Sequence, residues 1–199
     1  MSKRVYISAD YAENDGDREI VYELTKWGRD DLHKVDFVNT AEVTNSVSSS
    51  SDCRPCDLKQ EFNQKINESS TVIFIVGDKT ASRTAGNTCE RFKKDQFLCS
   101  CTPYKQNTNG KKLCKVCFTY TPGDNLGSIN NYSYLRHEFE QAKLKRKNII
   151  IFYNSLIKQE SWLPSYMQEY KSEAQPFWIK NENNDRIGNY EFLKQKLGY

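Results

Sequence analysis

The stretch Thr71-Val-Ile-Phe-Ile-Val76, running into Gly77-Asp-Lys-Thr80, decides the fold. After Thr71 it has no polar alternation: aliphatic and aromatic residues fall on both faces. A strand that hides both faces belongs in the middle of a parallel sheet, because helices cover such sheets on either side. Ile149-Ile-Ile-Phe152 has the same character. Outward from these two lie Arg4-Val-Tyr-Ile-Ser8, Val35-Asp-Phe-Val38 and a shorter Phe177-Trp-Ile179, which complete five expected strands.

Helical spacing fills the gaps. Ile20, Val21, Leu24 and Trp27 mark a first helix after a polar, acidic loop over 9–17, with Asp15 or Asp17 as its cap. Thr44 to Asp52 is Ser-rich and reads as a loop. Asp57 with Gln60 resembles a capping box opening a helix that carries Leu58, Phe62 and Ile66. Leu135, Phe139 and Ala142 form one face of a further helix, and Tyr190, Leu193 and Leu197 mark the last. Strands alternating with helices predict an α/β fold, a flavodoxin-like three-layer sandwich around a central parallel sheet. Ligands of such sheets bind outside the carboxyl ends of the strands. Here those ends are 8–11, 39–40 and 77–80.

A chain of 199 residues allows one domain with an insertion. Hydrophobic residues make up 37%, aromatics 13%, and the mean hydropathy is -0.80, so the core is aromatic and the surface very polar. The net charge of +3 is spread along the chain and gives no reason to expect nucleic acid. Lys143, Lys145, Arg146 and Lys147 cluster where a helix ends, a place that favours cations. No run of ~18 apolar residues suggests a membrane span, and the start of the chain has no secretory core. A cytoplasmic location is expected.

Residues 81–131 break the pattern. They hold five of the seven cysteines and few aliphatics. The expected organisation is therefore 1–80 and 132–199 as one domain, with 81–131 a cysteine-rich insertion. Cys99-x-Cys101 and Cys114-x-x-Cys117 offer two close thiolate pairs, the spacing of a structural four-thiolate zinc site, and zinc would order a segment that lacks a core. Reduced surface thiols, or sites recruiting Cys53, Cys56 or Cys89, are the alternatives. His33 and His137 are the only histidines, and a surface role is expected for both.

Glu138 lies three residues after Leu135, on the inward stripe of its helix, whereas Glu140 points away. A carboxylate on a core-facing stripe is expensive unless it is paired, solvated by a cleft or used chemically. Two readings stand open from the pattern: a structural cap or pair with Arg136, Arg18 or a lysine, and a catalytic group.

The order of these segments resembles a TIR-like domain, in particular the bacterial TIR-like proteins of the Thoeris anti-phage system. Lys3-Arg-Val-Tyr-Ile-Ser8 with Tyr11 and Arg18 resembles that group's first strand and the loop behind it. Leu58 to Asn67, then Ser70 to Thr80, resembles its second helix and central strand. Tyr134-Leu-Arg-His-Glu138-Phe, then Lys147-Asn-Ile-Ile-Ile, resembles the helix bearing the catalytic glutamate and the strand after it, with Tyr134 where the family usually has tryptophan. The likeness covers 3–80 and 132–155. It departs at the cysteine-rich insertion.

The resemblance implies cleavage of NAD⁺ between nicotinamide and ribose, with Glu138 as the catalytic carboxylate. It also implies an ADP-ribose-derived signal for a partner effector, and self-association through TIR surfaces. Ser8, Asp10, Tyr11, Asn39 and Asp78 are the expected substrate contacts at the strand ends. Arg18 is a phosphate contact or a partner of Asp15 or Asp17. The competing class is a TIR interaction module without catalysis. A zinc-assisted nucleic-acid binder fits less well, because the insertion has little aromatic–basic interleaving beyond Tyr104 and Phe118.

Overall fold

A computed structural model describes residues 3–10, 16–29, 35–46, 54–83, 104–106, 112–114 and 133–199. The chain divides into two compact units, 1–40 with 68–82 and 147–199, and 41–67 with 83–146.

The first unit contains the sheet. Its parallel strands are β1 (Arg4–Ser8), β2 (Asp36–Asn39), β3 (Thr71–Val76) and β6 (Asn148–Tyr153), with the two-residue β7 (Gln175–Pro176) at one edge. The spatial order is β2-β1-β3-β6-β7, all parallel. This is the flavodoxin-like order, whose ligand crevice falls where the winding reverses, between β1 and β3. β3 is buried at every residue, as its unbroken aliphatic run requires. Helices α1 (Asp17–Gly28) and α5 (Tyr190–Leu197) belong to the same unit. Ile20, Val21, Leu24, Leu193 and Leu197 from these helices share one core with Val5, Ile7, Ile73, Ile75, Ile150 and Phe152 from the strands. Burying each such side chain stabilises the fold by roughly 1.5–3 kcal/mol. The strand residues of the opposite parity, Tyr6, Val72, Phe74, Val76, Ile151 and Tyr153, are buried too.

Two expectations about this unit need correction. Phe177–Ile179 is not the fifth strand of the sheet. The edge strand is Gln175–Pro176, and proline, which has no N–H to donate, suits an edge. The chain then leaves the sheet and β8 (Trp178–Lys180) pairs antiparallel with β9 (Arg186–Gly188). Asn184 stands at φ 67 in the connecting turn, a conformation that asparagine tolerates. The first helix is also not capped by Asp17. Gly16 occupies the cap position with no side-chain bond, and Asp17 is the first helical residue. Asp15 lies outside the described residues.

The second unit contains α3 (Arg54–Glu68, its last residue in the first unit) and α4 (Tyr134–Leu144). The short helix α2 (Thr40–Ser46) follows β2 directly, so Thr44 to Ser46 are helical rather than loop. Their weak helix propensity is overridden where Val43 is buried. The rest of the Ser-rich stretch lies outside the described residues. The helix α3 starts three residues before the expected box at Asp57, with Pro55 in its first turn, where a missing N–H costs nothing. Within the insertion, β4 (Tyr104–Gln106) and β5 (Lys112–Cys114) form an antiparallel pair. Among the described residues no helix is long and apolar enough to cross a membrane.

Candidate functional site

In the sheet unit, parallel strands bring their carboxyl ends to one rim. Ser8 closes β1 opposite Phe74, and Asn39 closes β2 opposite Ile7. Both are buried, and Asp10 follows, part-exposed. Thr40, next to Asn39, donates its hydroxyl to the Ile7 carbonyl at 2.9 Å and lies 3.3 Å from the Tyr6 hydroxyl. The chain turns sharply after β3. The Gly77 N–H donates to the Thr80 hydroxyl at 2.8 Å and the Thr80 N–H returns to the Gly77 carbonyl at 3.2 Å. That turn leaves Asp78 exposed beyond the strand end.

The amino end of α1 closes on this rim. A Cβ added at Gly77 would stand 3.2 Å from the Asp17 carboxylate, and one at Gly16 would strike the Asn154 side chain at 2.5 Å. Gly16 thus lets the helix start close against the Asn154 side chain, and the Asn154 backbone N–H continues the ladder to the Val76 carbonyl at 2.8 Å. The positive dipole end of a helix thus lies beside the strand ends, with the Asp17 carboxylate buried against it. Arg18 is exposed in the first turn of α1. Four expected contacts, Ser8, Asp10, Asn39 and Asp78, accordingly gather on one rim, with Arg18 on the helix that meets it. Tyr11 lies outside the described residues.

Thr40 and Thr80 fall within the expected strand ends, whereas sequence reasoning missed Asn154 and Tyr153 on the same rim. Tyr153 ends β6, and burial, helped by the negative charge of Glu160, pushes its phenol above the ordinary tyrosine range. Its only advance signal was its place as the first aromatic hydroxyl after an all-apolar strand.

In the second unit, Ser133 caps α4 by accepting from the Arg136 N–H at 3.0 Å. The inward stripe is wider than expected. It holds Leu135, His137, Glu138, Phe139, Gln141 and Ala142, and Glu138 is 1% exposed. The expectation of a surface His137 is overturned, because its ring is only 2% exposed. His33 lies outside the described residues. A polar seam between α3 and α4 accounts for the buried ring. His137 Nε2 lies 2.9 Å from the Asn63 amide oxygen, and Gln141 donates to Asn67 at 3.0 Å. One turn earlier, Phe62 and Tyr134 meet edge to face at 5.6 Å.

Burial, with the nearby Lys59 charge, lowers the His137 pKa from 6.5 to about 3, against a raising hydrogen bond to the Lys59 backbone. The ring is therefore neutral at pH 7 and carries one N–H. With that N–H donated to the Lys59 carbonyl, Nε2 accepts, and Asn63 must turn its amide nitrogen to the ring. The residue beside Glu138 consequently adds no positive charge to it.

Of the expected zinc ligands, Cys114 is the last residue of β5, while Cys99, Cys101 and Cys117 lie outside the described residues. Among the described residues no cluster of His, Cys, Asp or Glu is set to hold a metal.

The parallel five-stranded sheet with its helices is that of a TIR-like α/β fold. Residues 6–87 match the family model described as Thoeris protein ThsB, TIR-like domain. A search of the curated proteins gives no match.

Proposed function

We propose that this chain cleaves NAD⁺ at the bond between nicotinamide and ribose, making an ADP-ribose-derived signal for a partner effector. The observation that carries the reading is Glu138, a carboxylate on the inward face of α4 in a TIR-like chain of the Thoeris type. Burying a carboxylate costs several kcal/mol unless its charge is used or compensated. In the proposed reaction the C–N bond electrons leave with nicotinamide, which departs neutral. The ribose carbon becomes oxocarbenium-like, and Glu138 stabilises it or holds the ribose hydroxyls. An acceptor hydroxyl, from water or from the ADP-ribose itself, then adds and gives up its proton. The rim of Ser8, Asp10, Asn39 and Asp78 would hold the nucleotide. The amino end of α1 with Arg18 would hold the diphosphate, as dipole and charge favour. Tyr11 remains a proposed contact.

The insertion would be held by one zinc on Cys99, Cys101, Cys114 and Cys117. The β4–β5 pair that ends at Cys114 supports this, since two-stranded turns commonly present thiolates to zinc. A second reading, a TIR module that assembles without catalysis, draws on Tyr22, Leu156 and Ile157, large apolar residues left exposed. The two readings part in one experiment. The protein is incubated with NAD⁺, with and without lysate of phage-infected cells, and the products are identified by mass spectrometry. Release of nicotinamide supports the enzyme, and intact NAD⁺ in both arms favours the module.

A further inference from the structure

Away from the strand ends, the sheet unit has an open groove of about 470 Å³ between α1, the β8–β9 hairpin and the start of α5. Its walls are aromatic: Trp27, Trp178 and Tyr190. Its rim carries Glu19 and Glu23, one helical turn apart on α1. Gly188 is what lets the walls close, since a Cβ there would fall 2.6 Å from the Trp27 indole.

The two halves of the groove differ in one respect. In the first, the Arg186 guanidinium bonds Glu19 at 2.6 Å and stacks over the Trp178 ring at 3.8 Å. A planar cation is thus held between a carboxylate and an indole, the arrangement for which arginine is better suited than lysine. The second half repeats the parts: Glu23 as the carboxylate and Trp27 as the indole, with Tyr190 tilted against Trp27 at 4.6 Å. Here no guanidinium among the described residues takes the corresponding place. Two lysines approach this half instead: Lys26 makes a long 3.8 Å contact with Glu23 along its own helix, and the Lys194 ammonium lies 5.4 Å from the Tyr190 ring centroid.

We infer that the Glu23–Trp27–Tyr190 half of this groove binds an arginine side chain presented by a peptide segment of a partner protein, with Arg186 filling the neighbouring half as the chain's own example of the contact. The groove lies apart from the residues assigned to NAD⁺, so the inference stands independently of that chemistry.

The test uses the full ¹⁵N-labelled chain and a blocked Gly-Arg-Gly peptide, with the citrulline analogue as its uncharged isostere. The three tryptophans make the indole signals a direct readout, and Trp162, outside the groove, is the internal control. The Trp27 and Trp178 signals should move on addition of the arginine peptide while Trp162 stays. The citrulline peptide should move none of them. Glu23→Gln should weaken the response about five-fold, the effect of one part-exposed charge pair, with the Trp162 signal reporting an unchanged fold. Stationary indole signals at millimolar peptide would overturn the inference, as would an equal response to citrulline or an undiminished response in Glu23→Gln. Movement with protein concentration alone would identify a second copy of the chain as the occupant and overturn the assignment to a partner.

Discussion

Replacing His137 by Gln should flatten the dependence of stability on pH, and the size of the effect follows from the burial of the ring. In the folded chain His137 titrates at about 3, against 6.5 for an ordinary histidine. Between those values the unfolded chain binds a proton that the folded chain does not, so stability rises with pH through this window. The contribution is complete above 6.5 and is lost progressively as pH falls toward 3. At about pH 5 the loss is roughly 1.5 pH units at 1.36 kcal/mol each, or about 2 kcal/mol. That is a large share of the roughly 5–15 kcal/mol that holds a domain folded. Urea unfolding near neutral pH and at about pH 5 measures the fall for wild type and for His137→Gln. The fall should be about 2 kcal/mol smaller in the variant, even though the variant is less stable at neutral pH for want of the ring's packing and its bond to Asn63. Equal falls in the two proteins would refute the reasoning, since His137 would then titrate alike folded and unfolded and could not be the buried neutral ring of the α3–α4 seam.

Gly188→Ala should destabilise the sheet unit by roughly 1–3 kcal/mol, because the added methyl must displace the Trp27 ring; a lowered urea midpoint with an unchanged slope checks it. Protein purified without chelator should hold close to one zinc per chain by elemental analysis. Ser at both Cys114 and Cys117 should release the metal and open the insertion to protease while leaving the sheet folded, whereas seven freely titratable thiols in the native state would show the cysteines to be unligated.

The sheet was legible because its central strands announce themselves. Thr71–Val76 and Ile149–Phe152 hide both faces, and only a covered parallel sheet accommodates that. Ile20, Val21 and Leu24 marked α1 by the same logic, and Glu138 stood out as a carboxylate on an apolar stripe. What stayed hidden depends on partners distant in sequence. His137 looked like a surface residue because nothing near it could satisfy a buried ring; Asn63 and Lys59 do so from another helix. The end of the sheet at Pro176 and the pairing of Trp178 with Gly188 are set by edge geometry and a turn rather than by hydrophobic period. Thr40 and Thr80 were placed at the strand ends, but the bonds of their hydroxyls to backbone groups follow no side-chain pattern.

The most direct test of the central claim is the rate of nicotinamide release from NAD⁺ by wild type and by Glu138→Gln, measured under conditions where wild type is active. The substitution keeps the side chain's size and removes its charge, and loss of a group stabilising transition-state charge costs about 10²–10³ in rate. A fall of that order, with unchanged folding by circular dichroism, is the expected result. Turnover in Glu138→Gln equal to wild type would contradict the assignment of Glu138 as the catalytic carboxylate.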